Sequence, residues 1–333
     1  MERALDPLTF LAFFGAGLVA GLIGLGVAIV NEDTNPLKRA GEAAILALLG
    51  SFLAHGLVSV VLDAGNDSKG VALLVGWAFF GIHGLVDTVP ALLGLQFMTK
   101  PEVLLVSAGA VGALTGGLNG TFRIYPWNGF GVPQFLADVT WGLTGSTIGG
   151  LVHLYNCLFG ERAPYERLGA NQFLHGFHMP GKDTFAFTQG SVMSNLKEQP
   201  GQALWRHERL HVFQNRAFGP FFTLTYLGWM AVMLIPAVVA GILRKQKVFE
   251  GGKTVEYGVG NRVEAWCYYS NPWETWAYVL QRKVQAEHGH GHNDIRMQLS
   301  KGTSWSDGLV AAASVPFFVL SSLSLVALGA VAL

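Results

Sequence analysis

Before residue 160 the chain holds five apolar runs, near 8–30, 43–62, 70–90, 102–118 and 133–158. A helix rises 1.5 Å per residue, so about 20 such residues cross a hydrocarbon core of roughly 30 Å. Each run reads as a membrane-spanning helix, because backbone in lipid must satisfy its own hydrogen bonds. Composition agrees: 51% of residues are hydrophobic and 13% charged, which does not describe an ordinary soluble domain. The first run follows "MERALDP", which has no basic n-region, and it is too long for a signal-peptide core. It reads as a retained anchor. The 43 glycines suit helices that approach closely, and Gly142, Gly145 and Gly149 give the fifth run such a face.

Beyond the fifth run the composition alternates. Residues 159–218 turn polar and contain Pro164, Pro180 and Pro200, 219–243 are apolar again, 244–307 are polar, and 308–333 form a last apolar run. No fixed-period repeat is present. Lys and Arg balance Asp and Glu at 22 each, so no global field points to nucleic acid. Cys157 and Cys267 have neither a C-x-x-C spacing nor a framework around them and read as free thiols.

The first polar block carries "RHERLHVFQNRAFGP". On a helix, His207 and His211 lie one turn apart and about 40° apart around the axis, so both imidazoles can reach one ion. Glu208 falls at the edge of that face, where it can act as a general base without ligating, while Arg209 and Leu210 point away. Gln214 returns to the same face and can orient a ligand or meet substrate. Zinc suits two neutral imidazoles and a carboxylate, with a fourth position left for water. Upstream, "DTFAFTQGSVMSNL" alternates Phe185, Phe187 and Gln189 against Thr184, Ala186 and Thr188, a short strand ended by Gly190. Downstream, "NPWETWAY" starts a helix at Asn-Pro and supplies Glu274 as the third ligand, with small Ala277 admitting a neighbour.

At these residues the sequence resembles the gluzincin metallopeptidases, particularly the membrane-bound HtpX and CAAX-prenyl-protease type, and the wider group of zincin-like proteins. The matching stretches are "DTFAFTQG", "HERLH" and "ETWA", and the resemblance covers roughly residues 183–280, not the first five runs. It implies an edge strand before H-E-x-x-H and an E-x-x-A helix delivering the last ligand. Arg209-Leu210 stands where those membrane peptidases have a small residue, and Tyr278 where they have Asp. The fold class expected is therefore mainly α: a polytopic helical membrane protein with a small zincin-like α+β metal-binding domain. Its parts are a bundle over 1–158, the zincin-like domain over 159–307 interrupted by 219–243, and a C-terminal transmembrane helix over 308–333.

The ligand set makes a topological demand, since His207, His211 and Glu274 must meet although 219–243 lies between them. A single crossing would separate them, so 219–243 is expected to be a re-entrant or interfacial hairpin broken at Gly228 or Pro236, or a tilted helix with the site near the membrane surface. Charge agrees with both polar blocks sharing a side. They hold 16 of the 22 Lys and Arg residues, and with five spans Lys38, Arg39 and Lys100 join them, leaving Arg3, Lys69 and Arg123 opposite. That bias marks a cytoplasmic face.

Other ionisable residues carry two readings. His55, His83, Asp87 and Asp138 fall in apparent spans, where they could form an intramembrane polar site or pair as glue within the bundle. "HGHGH" at 288–292 reads as a solvated loop ahead of a metal tract, and His175 and His178 are reserve ligands. The aromatic run from Trp266 to Tyr278 reads as an interfacial belt. The expected function is a membrane-embedded zinc metallopeptidase acting on a peptide or membrane-protein substrate at the lipid bilayer, with no nucleic-acid partner. The alternatives are a catalytically silent scaffold subunit of a larger membrane complex and, third, a small-ion transporter.

Overall fold

The computed structural model describes residues 6–178, 185–243, 246–250 and 253–287, and the structure is mainly helical with a small sheet. The HGHGH tract and the apolar run 308–333 lie outside the described residues. Two compact units are present. The first takes the described residues up to Glu198 together with Glu208–Pro220, and the second takes Gln199–His207 and the described residues from Phe221 onward.

The first unit is built on α1 (Pro7–Val30) and α2 (Pro36–Ala64). Both start as their sequences demand: Asp6 and Asn35 accept hydrogen bonds from first-turn amides, and a proline follows each where no N–H is needed. A hydroxyl cap from Ser68 begins the shorter α3 (Lys69–Val75), which runs on into a π turn at Gly76–Phe80. Helices α4 (Ile82–Leu92) and α5 (Pro101–Thr121) follow. Along α5, Gly112 faces Gly50 of α2, while Gly116 and Gly120 lie against Leu46 and Ala43, so the two helices run antiparallel with their backbones in contact. A Cβ on Gly50 or Gly112 would fall on the other's carbonyl oxygen. This is the close approach that the glycine content predicts.

Among the described residues, helices α1, α2 and α5, and α9 described below, are the four long and apolar enough to cross a membrane. The runs near 70–90 and 133–158 differ from expectation, because each is broken. Gly81 takes φ +64°, a left-handed conformation that ends the π turn and reverses the chain. Helix α4 then packs back along α3, and the two ends of the excursion meet where Lys69 Nζ donates to the Gly94 carbonyl and Gln96 donates to that of Lys69. Carbonyls left open at the turn are satisfied from α7 (Leu143–Phe159): the Thr144 hydroxyl bonds Ala78 and the Thr147 hydroxyl bonds Phe79 at 3.0 Å. The run near 133–158 splits at Thr140–Gly142 into α6 (Gly131–Val139) and α7. Buried Asp138, Ser146, His153 and Asn156 explain why this stretch packs on protein.

With 69–94 folded as a hairpin, Lys100 and Arg123 exchange ends of the bundle relative to the sequence expectation. Lys100 joins the end that holds Lys69. Arg123 joins Asp33, Arg39 and Glu166, the last 3.3 Å from its Nη1. At that end Arg39 also donates to the Thr121 carbonyl, and Arg167 grips both carboxylate oxygens of Glu42. These pairs tie residues 163–170, which connect the first two strands of the sheet, to the start of α2.

The sheet lies against α7 in the order β1-β2-β4-β3, with β1 at Glu161–Arg162, β2 at Asn171–His175, β3 at Phe187–Gln189 and β4 at Val192–Ser194. Strand β4 is parallel to β2 and antiparallel to β3. The strand expected before Gly190 is β3, at the sheet edge, and Gly190 makes its turn into β4 at φ +59°. Helix α8 (Ala203–Phe218) follows and ends at Gly219, φ +52°, where a Cβ would meet the Trp141 carbonyl oxygen at 2.5 Å.

In the second unit α9 (Pro220–Leu243) is one continuous helix that runs through both Gly228 and Pro236, so no hairpin forms within it. The reversal comes later, through the two-stranded ribbon of β5 (Gln246–Glu250) and β6 (Lys253–Tyr257). Helix α10 (Val259–Val263) and a π turn at Glu264–Tyr269 then return antiparallel along α9. Gly241 meets Val259 at the far end, Trp229, Met233 and Ala237 pack on Cys267 midway, and Trp229 donates to the Trp266 carbonyl. Asn271 caps α11 (Pro272–Glu287) by accepting from the Trp273 amide, as the Asn-Pro start predicts. Its Nδ2 donates to the Tyr226 carbonyl, which returns the chain to the second turn of α9.

Candidate metal centre

The out-and-back path of the second unit brings Glu274 to His207, with Glu274 Oε2 3.3 Å from His207 Nε2 and both side chains buried. The division between the units falls inside α8, directly after His207, and the helix is continuous across it. His211 therefore follows one turn along the same helix face, and one ligand atom from each of His207, His211 and Glu274 lies within 4.8 Å of the others. The exposures are 1%, 7% and 2%. This cluster could hold a metal ion. Two imidazoles and a carboxylate all present lone pairs, so burying them together is favourable when a proton or a cation sits among them.

Each of the three side chains has a neighbour that restricts its orientation. Gln214 Oε1 lies 2.8 Å from His211 Nδ1; accepting a proton there leaves the ring's lone pair on Nε2. The Tyr278 ring packs against the His207 ring at a tilt of 56°, with centroids 4.3 Å apart. Tyr226 donates to Glu274 Oε1 at 2.8 Å, which leaves Oε2 toward His207. Glu208 is buried, and its Oε2 accepts a 2.6 Å hydrogen bond from the Thr188 hydroxyl of β3. Neither Thr188 nor Tyr226 is singled out by sequence as a site residue. Thr188 was legible only as one position in an alternating strand, and Tyr226 only as an aromatic residue in an apolar run.

The remainder of α8 is held by different chemistry. Arg209 leaves the ligand face and donates to the Leu168 carbonyl at 3.1 Å, and burial, reinforced by the Arg216 charge, lowers its guanidinium to about 10. Arg216 forks onto Asp138, with Nε to Oδ1 at 2.8 Å and Nη2 to Oδ2 at 2.6 Å. Burial opposes the Arg216 charge, but the Asp138 carboxylate outweighs it and holds the group above its ordinary value. The chain of bonds continues from Asp138 through the Tyr125 hydroxyl to Asn119 and Ser191.

Of the four residues expected to form an intramembrane polar site, His83 and Asp87 lie one turn apart on α4, close enough for the Asp87 charge to act on the His83 ring. Asp138 belongs to the α8 network. Asp87 accepts from the Phe97 and Thr99 amides and the Thr99 hydroxyl, His83 bonds Ser107 at 2.8 Å, and the His55 ring packs edge-on to Phe13. His175 faces Glu161 at 3.8 Å on an exposed surface, and His178 contacts the Gly176 carbonyl at 3.4 Å. Both cysteines are free. Comparisons with protein-family models, with curated proteins and with solved structures return no match.

Proposed function

We propose that this chain is a multi-pass membrane metallopeptidase that binds zinc through His207, His211 and Glu274 and hydrolyses peptide bonds of membrane-associated or extended substrates. The observation that carries the reading is the convergence of these three side chains with a carboxylate, Glu208, on the residue next to the first ligand. The donor set fits zinc. Bonds of about 2.0–2.1 Å in a tetrahedron would place neighbouring ligand atoms roughly 3.3 Å apart; His207 Nε2 and Glu274 Oε2 are 3.3 Å apart, and the three ligand atoms together lie within 4.8 Å of one another. When bound, the ion supplies Lewis-acid polarisation of a carbonyl and acidifies water.

Glu208 takes one proton from the attacking water as the new C–O bond forms, and delivers it to the amine nitrogen as the C–N bond breaks. The Thr188 hydroxyl holds Glu208 Oε2 for that task. Substrate reaches the site from the bilayer or its surface, in keeping with four helices of membrane-spanning character. The site faces the cytoplasm in this reading. Within the first unit Arg123 and Lys100 trade ends, so the number of Lys and Arg residues at each end of that bundle stays as expected.

The test is peptide hydrolysis by the zinc-loaded full chain. Glu208→Gln should retain the ion and lose turnover by about 10²–10⁴-fold. Equal turnover by both forms would refute the assignment. A scaffold role is the second reading, favoured by Arg209 and Tyr278 standing where the resembled peptidases carry other residues. It expects bound ion and no turnover in either form.

A further inference from the structure

Tyr226 sits in the second turn of α9, a helix of membrane-spanning character, and its backbone and side chain both touch the start of α11. Its carbonyl accepts from Asn271 Nδ2, and its hydroxyl donates to Glu274 Oε1. One residue earlier, Thr225 Oγ1 accepts from the Trp273 indole at 3.0 Å. These two side-chain bonds join the same pair of helices in neighbouring positions, but only the first reaches a residue of the metal cluster. That contrast separates fastening α11 to α9 from aiming a ligand.

We infer that Tyr226 is a positioning residue for the metal centre: its phenol holds one oxygen of Glu274 so that the other is presented to the ion as a single, fixed ligand. This rests on the metal-binding reading above. A carboxylate on a rotatable two-carbon stem can offer either oxygen, or both. A donor fixed on Oε1 removes that freedom and selects Oε2, the oxygen already 3.3 Å from His207 Nε2. Outer partners of this kind carry about 10–100-fold in metal affinity. Helix α9 is thereby tied to the chemistry through one hydroxyl, although it contributes no ligand to the cluster.

The test uses the full chain in detergent and three forms: wild type, Tyr226→Phe and Thr225→Val. Zinc affinity is measured by competition with a chromophoric chelator, and coordination by the visible absorption of the cobalt-substituted protein. Wild type and Thr225→Val should bind one ion with the same affinity and spectrum. Tyr226→Phe should still bind one ion, about 10–100-fold more weakly, with a changed cobalt spectrum. Equal affinity and an unchanged spectrum in Tyr226→Phe would overturn the inference, as would an equal loss in Thr225→Val. A fluorotyrosine at 226 gives a second probe that preserves shape: its fluorine resonance should move when zinc is added, and an unmoved resonance counts against the inference. Failure of the wild type to bind zinc or cobalt would overturn the metal-binding reading itself, and this inference with it.

Discussion

Helix α8 carries two buried polar assemblies of opposite kind. Toward its C-terminus Arg216 meets Asp138 in a forked ion pair that is neutral and leads into a chain of hydroxyl and amide groups. Toward its N-terminus His207 and His211 meet Glu274, three groups that can all act as ligands. The first assembly sets opposite charges against each other, so it needs no added ion to be neutral. The second gathers lone pairs, an arrangement suited to a cation. Burial of polar side chains alone does not separate structure from binding; the match or mismatch of charge and donor type does.

That contrast is most strongly broken by Asp138→Ala, which leaves the Arg216 guanidinium buried without its counter-charge. A loss of about 3–5 kcal/mol in stability is expected, read as a lowered unfolding midpoint, with zinc stoichiometry unchanged in the protein that remains folded. Next comes removal of metal. Chelation should destabilise the wild type by about 2.7 kcal/mol from its value at an ion concentration 100 times Kd, and the same treatment should leave His207→Ala unmoved. Arg216→Lys keeps the charge and loses the fork, so a melt should report about 2 kcal/mol, less than Asp138→Ala. Gln214→Leu is the mildest. It should weaken zinc affinity about tenfold, or about 1.4 kcal/mol, through loss of the His211 Nδ1 contact.

The parts of this molecule that could be read from sequence are those set by local spacing. His207 and His211 need only the helical repeat, the start of α11 is written in Asn271-Pro272, and the strand before Gly190 shows its alternation. Hydropathy also finds the three long helices of the bundle. It does not find the breaks in the other two runs, because a window average over 70–90 hardly registers that Gly81 adopts a left-handed conformation, or that Thr144 and Thr147, more than 60 positions later, cap the turn. Within 133–158 the signs were present in Asp138 and in Thr140-Trp141-Gly142, but their meaning depends on Arg216 and on the sheet. The path that reunites Glu274 with His207 was legible as a necessity and not as a route. The expected break at Gly228 or Pro236 is replaced by a continuous α9 and a separate returning helix, since packing of Trp229, Met233 and Ala237 on Cys267 settles what propensity leaves open. Thr188 and Tyr226 escaped notice for the same reason: a hydroxyl acquires a role only from the carboxylate that folding places beside it.

The central claim is that His207, His211 and Glu274 form one metal site. Its most direct test is elemental analysis of the purified full chain beside His207→Ala, His211→Ala and Glu274→Ala, each shown to be folded. One equivalent of zinc in the wild type and a marked loss in all three variants is the predicted result. A wild type that takes up no metal when supplied with it, or variants that retain the full equivalent, would contradict the account.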